Sequence, residues 1–110
     1  MKTLGNAEHK ILFGDVLEAL NNIEDESVDL IFADPPYNRG KNFNGLKDKW
    51  NTDDEYLSWC YEWIDLCIKK LKPNGSFYVM TSTQFMPYFD IHIRPKLNIL
   101  SRIIWSYDSS

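Results

Sequence analysis

Cysteine is scarce, with only Cys60 and Cys67 in 110 residues. Seven positions apart in a helical pattern, they share a face but stand about two turns, or roughly 10 Å, apart, beyond the reach of a disulfide. They read as buried, reduced thiols. Histidine is equally rare. His9 and His92 read as isolated, with no cysteine or carboxylate at metal-ligand spacing, so no metal is expected. No apolar run approaches the ~18 residues needed to cross a bilayer. Met1 to Lys10 lacks the apolar core of a signal peptide. No membrane contact is expected, and a cytoplasmic location is. Gly40 and Gly45 have phosphate-loop spacing, but Leu46 stands where that loop needs lysine, which excludes it. Nor is there an excess of positive charge. A formal charge of −4 and a pI near 5.0 argue against a stand-alone basic nucleic-acid binder. No repeat or low-complexity segment is present.

What is present suits a packed domain: 44% hydrophobic and 15% aromatic residues. Ile11-Leu12-Phe13 reads as a short strand stopped by Gly14-Asp15. Val16, Leu17, Leu20 and Ile23 then follow helical spacing, with Asp15 as cap and Glu18 three residues later. Val28 to Ala33 is a mostly apolar strand of the kind buried on both faces of a parallel sheet. Asp34 to Trp50 reads as a long loop, and loops of that length are usually functional or mobile. Within it Arg39, Lys41, Lys47 and Lys49 face one negative residue, Asp48. Thr52 and Glu55 open a helix that buries Tyr56, Cys60, Trp63, Ile64, Cys67, Ile68 and Leu71 on one stripe. Pro73-Asn74-Gly75 reads as a turn, Ser76 to Met80 as a strand, Thr83 to about His92 as a short helix, and Leu97 to Trp105 as a last strand. This alternation predicts an α/β domain with a mainly parallel sheet and right-handed crossovers. Ligands of such sheets bind beyond the carboxyl ends of the strands. Asp15 and Asp34 both fall there.

Asp34-Pro35-Pro36-Tyr37 has the parts needed to hold an exocyclic amino group of a nucleobase. The lone pair of such a nitrogen is delocalised into the ring. A carboxylate and a backbone carbonyl that accept its N–H bonds can turn the lone pair toward a methyl donor. Asp34 supplies the first and Pro35 the second, while Pro36 stiffens the backbone. Tyr37 offers a face for stacking, worth roughly 1–3 kcal/mol for an extruded base. The target atom is unreachable inside a duplex, so the base must be flipped out.

Asp34-Pro35-Pro36-Tyr37-Asn38 after an apolar strand, with Phe13-Gly14-Asp15-Val16-Leu17 upstream and Ile103-Ile104-Trp105 downstream, resembles the bacterial DNA adenine-N6 methyltransferases. It is most similar to their permuted group, often called the beta group, over about Lys10 to Ser110. The resemblance implies a Rossmann-like class I methyltransferase fold and S-adenosyl-L-methionine as cofactor. It implies transfer of a methyl group to N6 of a flipped-out adenine in double-stranded DNA. Asp34, Pro35, Pro36 and Tyr37 would carry the base. Asp15 would contact the adenine amino group of the cofactor, and Asp34 would lie near the methyl donor. Asn38, Arg39, Lys41 and Lys47 would lie near the DNA or the mouth of the site. Aspartate at position 34 favours adenine over cytosine-N4 as target.

One departure stands out. The family's Gly-rich Phe-x-Gly-x-Gly turn, which holds the methionine part of the cofactor, is absent. The chain stops at Tyr107-Asp108-Ser109-Ser110, directly after an expected strand. Residues 1–110 are therefore expected to be the amino-terminal part of a catalytic domain, without the target-recognition region. In the family's sheet two strands from the remainder separate the strand ending at Asp15 from the one ending at Asp34. The partner of such a gapped sheet would be that remainder or a second copy in a homodimer. Two rival readings remain: an amino-methyltransferase acting on cytosine N4 or on RNA, and a non-catalytic DNA- or partner-binding fragment.

Overall fold

The computed structural model describes residues 2–4, 7–38, 41–43, 46–48 and 50–104, with backbone alone up to residue 8 and from 41 to 48. In chain order the elements are β1 (Lys2–Leu4), β2 (Ala7–His9), α1 (Val16–Asn21), β3 (Val28–Ala33), β4 (Lys41–Phe43), β5 (Leu46–Asp48), α2 (Asp53–Lys70), β6 (Leu71–Val79) and α3 (Met86–Ile93). The fold is α/β: β3 and β6 form a two-stranded parallel sheet joined through α2, and α1 and α3 pack against α2.

The stripe predicted for α2 is the centre of the core. Tyr56, Cys60, Trp63, Ile64 and Cys67 are buried there, with Leu57 beside them and Phe85, Phe89 and Ile93 packed from the α3 side. Ile68 is only half-buried. Thr52 caps α2 as expected, its hydroxyl accepting from the Glu55 N–H at 3.1 Å. Asp53, Asp54 and Glu55 then suit the positive end of the helix dipole, and Lys69 and Lys70 the negative end. Lys70 goes further: it is buried and its ammonium meets Asp25 at 2.7 Å. That hydrogen bond holds the Asp25 carboxyl below the usual carboxylate range.

The strands depart from expectation in five places. Ile11-Leu12-Phe13 forms no strand, and Phe13 is 91% exposed. Residues 98–104 form none either; Leu100 and Ile103 are exposed, and the Arg102 guanidinium instead pairs with Asp90 of α3. The physical reason is common to both. Apolar β-formers define a strand only when another backbone pairs with them, and among the described residues the parallel sheet has two members. Trp105 lies outside the described residues. The expected turn at Pro73-Asn74-Gly75 is instead an irregularity inside β6, which starts at Leu71. Val28 pairs with Leu71 and Leu30 with Ser76, so two steps along β3 match five along β6. Gly75 permits it: a Cβ there would sit 2.9 Å from Leu71 Cδ2 and 3.0 Å from the Val28 carbonyl. Finally, the Asp34–Trp50 loop contains an antiparallel hairpin, β4 with β5, and a second hairpin, β1 with β2, precedes α1.

The short helix after β6 also begins late. It starts at Met86 with no side-chain cap, because the Ser82 carbonyl takes the N–H groups of Phe85 and Met86. Pro87 is tolerated in its first turn. The expectation that Val28 to Ala33 is buried on both faces fails: Ile31 and Ala33 pack toward the core, but on the opposite face Leu30 and Phe32, with Tyr78 of β6, are exposed, because among the described residues helices cover one face only.

Candidate active site

The motif residues begin where β3 ends. Ala33 pairs with Val79, and its carbonyl accepts the Met80 N–H at 2.8 Å, so Asp34 leaves the sheet level with the end of β6. This is the carboxyl edge of the parallel pair. Asp34 is exposed there, and Pro35, Pro36, Tyr37 and Asn38 are half-buried. The Tyr37 hydroxyl donates to Asp34 Oδ1 at 2.7 Å, so the two side chains at the ends of the tetrapeptide touch. A carboxylate offers about four lone-pair sites. The phenol occupies one and leaves capacity for an N–H of an incoming group.

The amino-terminal turn of α2 grips the motif from the other side. The Tyr56 hydroxyl donates to the Pro36 carbonyl at 2.5 Å. Asn38 sits at φ 61°, a left-handed conformation that asparagine tolerates better than most residues. Its Oδ1 accepts the Trp50 N–H at 2.9 Å, and its Nδ2 donates to Asp53 Oδ1 at 3.3 Å. Asn38 thus closes the base of the loop that carries β4 and β5. This is a structural task that its sequence position concealed.

The remaining predicted residues are placed as follows. Asp15 is exposed and caps α1, with Oδ1 accepting the Leu17 N–H at 2.8 Å. Gly14 before it has φ 128°, which a side chain would resist. Asp15 does not end a strand, contrary to expectation, because Ile11–Phe13 is unpaired. Among the described residues no hydrogen bond or ion pair joins Asp15 to Asp34. Arg39 lies outside the described residues. Lys41 and Lys47 are described by backbone only, in the register Lys41 opposite Asp48 and Asn42 opposite Lys47.

Two features elsewhere were misjudged or unread in the sequence. His92 is not isolated. Its Nε2 lies 2.7 Å from Asp65 Oδ1, its ring stacks on Tyr61, and Lys96 joins the cluster. Burial pushes the Asp65 carboxyl up, but the hydrogen bonds from His92 and Lys96 outweigh it and hold it low. The cluster ties α2 to α3 and lies away from the Asp34 turn. Tyr56 was read as a packing residue, which it is, at 0% exposure. Its hydroxyl was the unread signal, since a buried tyrosine usually finds its O–H a partner.

Comparison with known proteins decides the family. The DNA methylase family, of N6/N4 type, matches residues 28–110, which include β3, the Asp34 turn, α2, β6 and α3. The chain belongs to that family. It is 52% identical over 106 residues to the DNA adenine methyltransferase YhdJ of Escherichia coli K12, covering 96% of this chain and 36% of the relative. It is 43% identical over 90 residues to the type II methyltransferase M.BamHI of Bacillus amyloliquefaciens, covering 81% and 21%. With the type II methyltransferase M.HinfI of Haemophilus influenzae it shares 40% over 111 residues, covering 87% and 31%. The DNA methylase chain therefore spans about a third or less of the length of these relatives.

Proposed function

We propose that this DNA methylase chain supplies the base-side half of the active site of an S-adenosyl-L-methionine-dependent DNA methyltransferase. Its target in this reading is N6 of an adenine flipped out of double-stranded DNA. The observation that carries the reading is the placement of Asp34-Pro35-Pro36-Tyr37. An exposed carboxylate stands at the carboxyl edge of a parallel sheet, with an aromatic ring tied to it. The relative with 52% identity is named a DNA adenine methyltransferase, which supports adenine as the base.

In this reading the Asp34 carboxylate and the Pro35 carbonyl accept the amino N–H bonds of the base. Tyr37 supplies the stacking face and holds Asp34 through its hydroxyl. Asn38 sets the neck of the loop, and the basic residues Arg39, Lys41 and Lys47 are the proposed contacts to the phosphate backbone. The gain in rate comes from alignment and from charge placed against the nitrogen as it becomes positive.

The cofactor would supply an electrophilic methyl on a sulfonium. The residues here fit it only in part. Asp15 and Asp34 are exposed carboxylates suited to an amino group and to a positive sulfur, but Asp15 already caps α1, and among the described residues no hydrogen bond or ion pair joins the two. We accordingly assign residues 1–110 to the amino-terminal part of a Rossmann-like catalytic domain and derive no step at the sulfur.

The test is transfer of tritiated methyl from S-adenosyl-L-methionine to DNA by the full-length protein. Asp34→Ala abolishes transfer and leaves DNA binding in place. Mass spectrometry of the digested DNA finds N6-methyladenine. Retained activity in the Asp34→Ala protein would falsify the catalytic assignment, and N4-methylcytosine as product would reassign the base.

A further inference from the structure

Two consecutive prolines leave the Asp34 turn short of handles. Pro35 and Pro36 have no N–H, so their backbone can be held only through its carbonyls. The structure shows where such holds are made. The Ala33 carbonyl, before Asp34, takes the Met80 N–H at 2.8 Å. The Pro36 carbonyl takes the Tyr56 hydroxyl at 2.5 Å. These two bonds bracket Asp34 and the Pro35 carbonyl, the groups assigned to the amino nitrogen. One bond comes from the sheet and the other from a helix twenty residues further on.

Tyr56 is built to be rigid. It is 0% exposed, and its ring lies 4.9 Å from that of Trp50 in an edge-on contact and 4.8 Å from that of Phe85. A hydroxyl on a ring so confined is a fixed point rather than an adaptable donor. Its bond orients the peptide that links Pro36 to Tyr37, and through Tyr37 the phenol that reaches Asp34 Oδ1. A tyrosine retained only to fill the core could give up this oxygen without consequence for the turn.

We infer that Tyr56 is a positioning residue for methyl transfer, acting through the Pro36 carbonyl to fix the Asp34–Tyr37 turn. The inference rests on the functional reading above. Displacing reacting groups by about 1 Å can cost roughly 100-fold in rate. Loss of this hold therefore lowers kcat by roughly 10- to 100-fold, with less effect on the affinity for DNA or cofactor.

The experiment compares four full-length proteins at a temperature where all are folded: wild type, Asp34→Ala, Tyr56→Phe and Cys67→Ala. Tyr56→Phe keeps the ring and removes the oxygen. Cys67→Ala perturbs the same buried stripe about three turns further along α2 and reports the effect of lost stability alone. The expected result is a 10- to 100-fold lower kcat for Tyr56→Phe with KM values within about threefold of wild type, and a near-normal kcat for Cys67→Ala. Incorporation of p-aminophenylalanine at position 56, which restores a donor, recovers part of the loss. If wild type transfers methyl groups, Asp34→Ala does not, and Tyr56→Phe stays within twofold, the inference is overturned and the functional reading stands. If Cys67→Ala loses as much as Tyr56→Phe, the effect is one of stability and the inference is again overturned. If wild type is inactive, the functional reading fails and takes this inference with it. Should Tyr56→Phe not fold, p-fluorophenylalanine at position 56, which fills the place of the hydroxyl but donates no hydrogen bond, is compared with wild type, and an unchanged kcat overturns the inference.

Discussion

Asn38 offers the sharpest test of how the site is held, because three separable effects meet in one side chain. Its backbone is left-handed at φ 61°. An alanine in that region costs about 1–2 kcal/mol, whereas glycine adopts it without penalty. Its Oδ1 accepts the half-buried Trp50 N–H at 2.9 Å, a bond worth about 1 kcal/mol. Its Nδ2 reaches Asp53 at 3.3 Å near the surface, where the contribution is about 0.5 kcal/mol or less. Asn38→Ala loses all three and is expected to cost about 2–3 kcal/mol. Asn38→Gly keeps the conformation and loses the bonds, for about 1–1.5 kcal/mol. Urea unfolding followed by tryptophan fluorescence measures both, with the midpoint moving and the slope constant. Hydrogen exchange at the Trp50 amide gives the local measure, with roughly tenfold faster exchange for each 1.4 kcal/mol lost. If alanine and glycine prove equally destabilising, the left-handed backbone is not being strained. If both lie within about 0.3 kcal/mol of wild type, Asn38 does not close the loop, and the account of the neck is wrong.

Three further outcomes are expected. Gly75→Ala forces a Cβ to within 3.0 Å of the Val28 carbonyl and is expected to cost about 1–3 kcal/mol in urea unfolding, where no change would deny the close approach of the strands. Burial pushes the thiols of Cys60 and Cys67 up to about 11, so the stability they contribute is present below about pH 9 and is lost as pH rises toward 11. Thermal unfolding followed across that range, with Cys67→Ala as control, checks the window, and slow alkylation of the native thiols at pH 8 checks the burial. The 110-residue chain alone is expected not to bind S-adenosyl-L-methionine with micromolar Kd, and calorimetry showing such binding would contradict the partial fit of Asp15 and Asp34.

Much of the fold was readable where one segment supplies its own evidence. The α2 stripe from Tyr56 to Cys67 is set by a period, and its cap by Thr52. The run Val28 to Ala33 pairs with a neighbour and turns Ile31 and Ala33 to the core, though Leu30 and Phe32 on its other face are exposed. Ile11–Phe13 and Leu97–Trp105 have the same local character, yet the described parts form no strand. Pairing is a property of two segments, and the composition of one cannot reveal whether the other is present. The start of β6 was hidden for the opposite reason. Pro73-Asn74-Gly75 carries turn chemistry, but here three residues are absorbed within a strand that continues on both sides. The antiparallel pairing of β4 with β5 had a local signal, since Asn-Gly stands between the two strands in the sequence and that dipeptide favours hairpins.

The candidate site divides in the same way. Asp34 to Tyr37 could be named from the tetrapeptide, because its residue types match the chemistry. Asn38, Trp50, Asp53 and Tyr56 could not be connected from sequence, since their bonds span twelve to twenty positions. A polar atom in an apolar stripe was the available clue at Tyr56.

The closed neck between Asn38 and Trp50 has a consequence for how such a chain can diversify. The ends of the loop are fixed to each other and to α2, so whatever lies between them is mechanically insulated from the turn. Doubling the length of a flexible loop adds only about 0.6 kcal/mol of closure cost. Descendants of one ancestral sequence can therefore exchange the whole insert, altering which surface it meets, while inheriting the Asp34 turn unaltered. In such a lineage selection can act on the insert and on the chemistry separately.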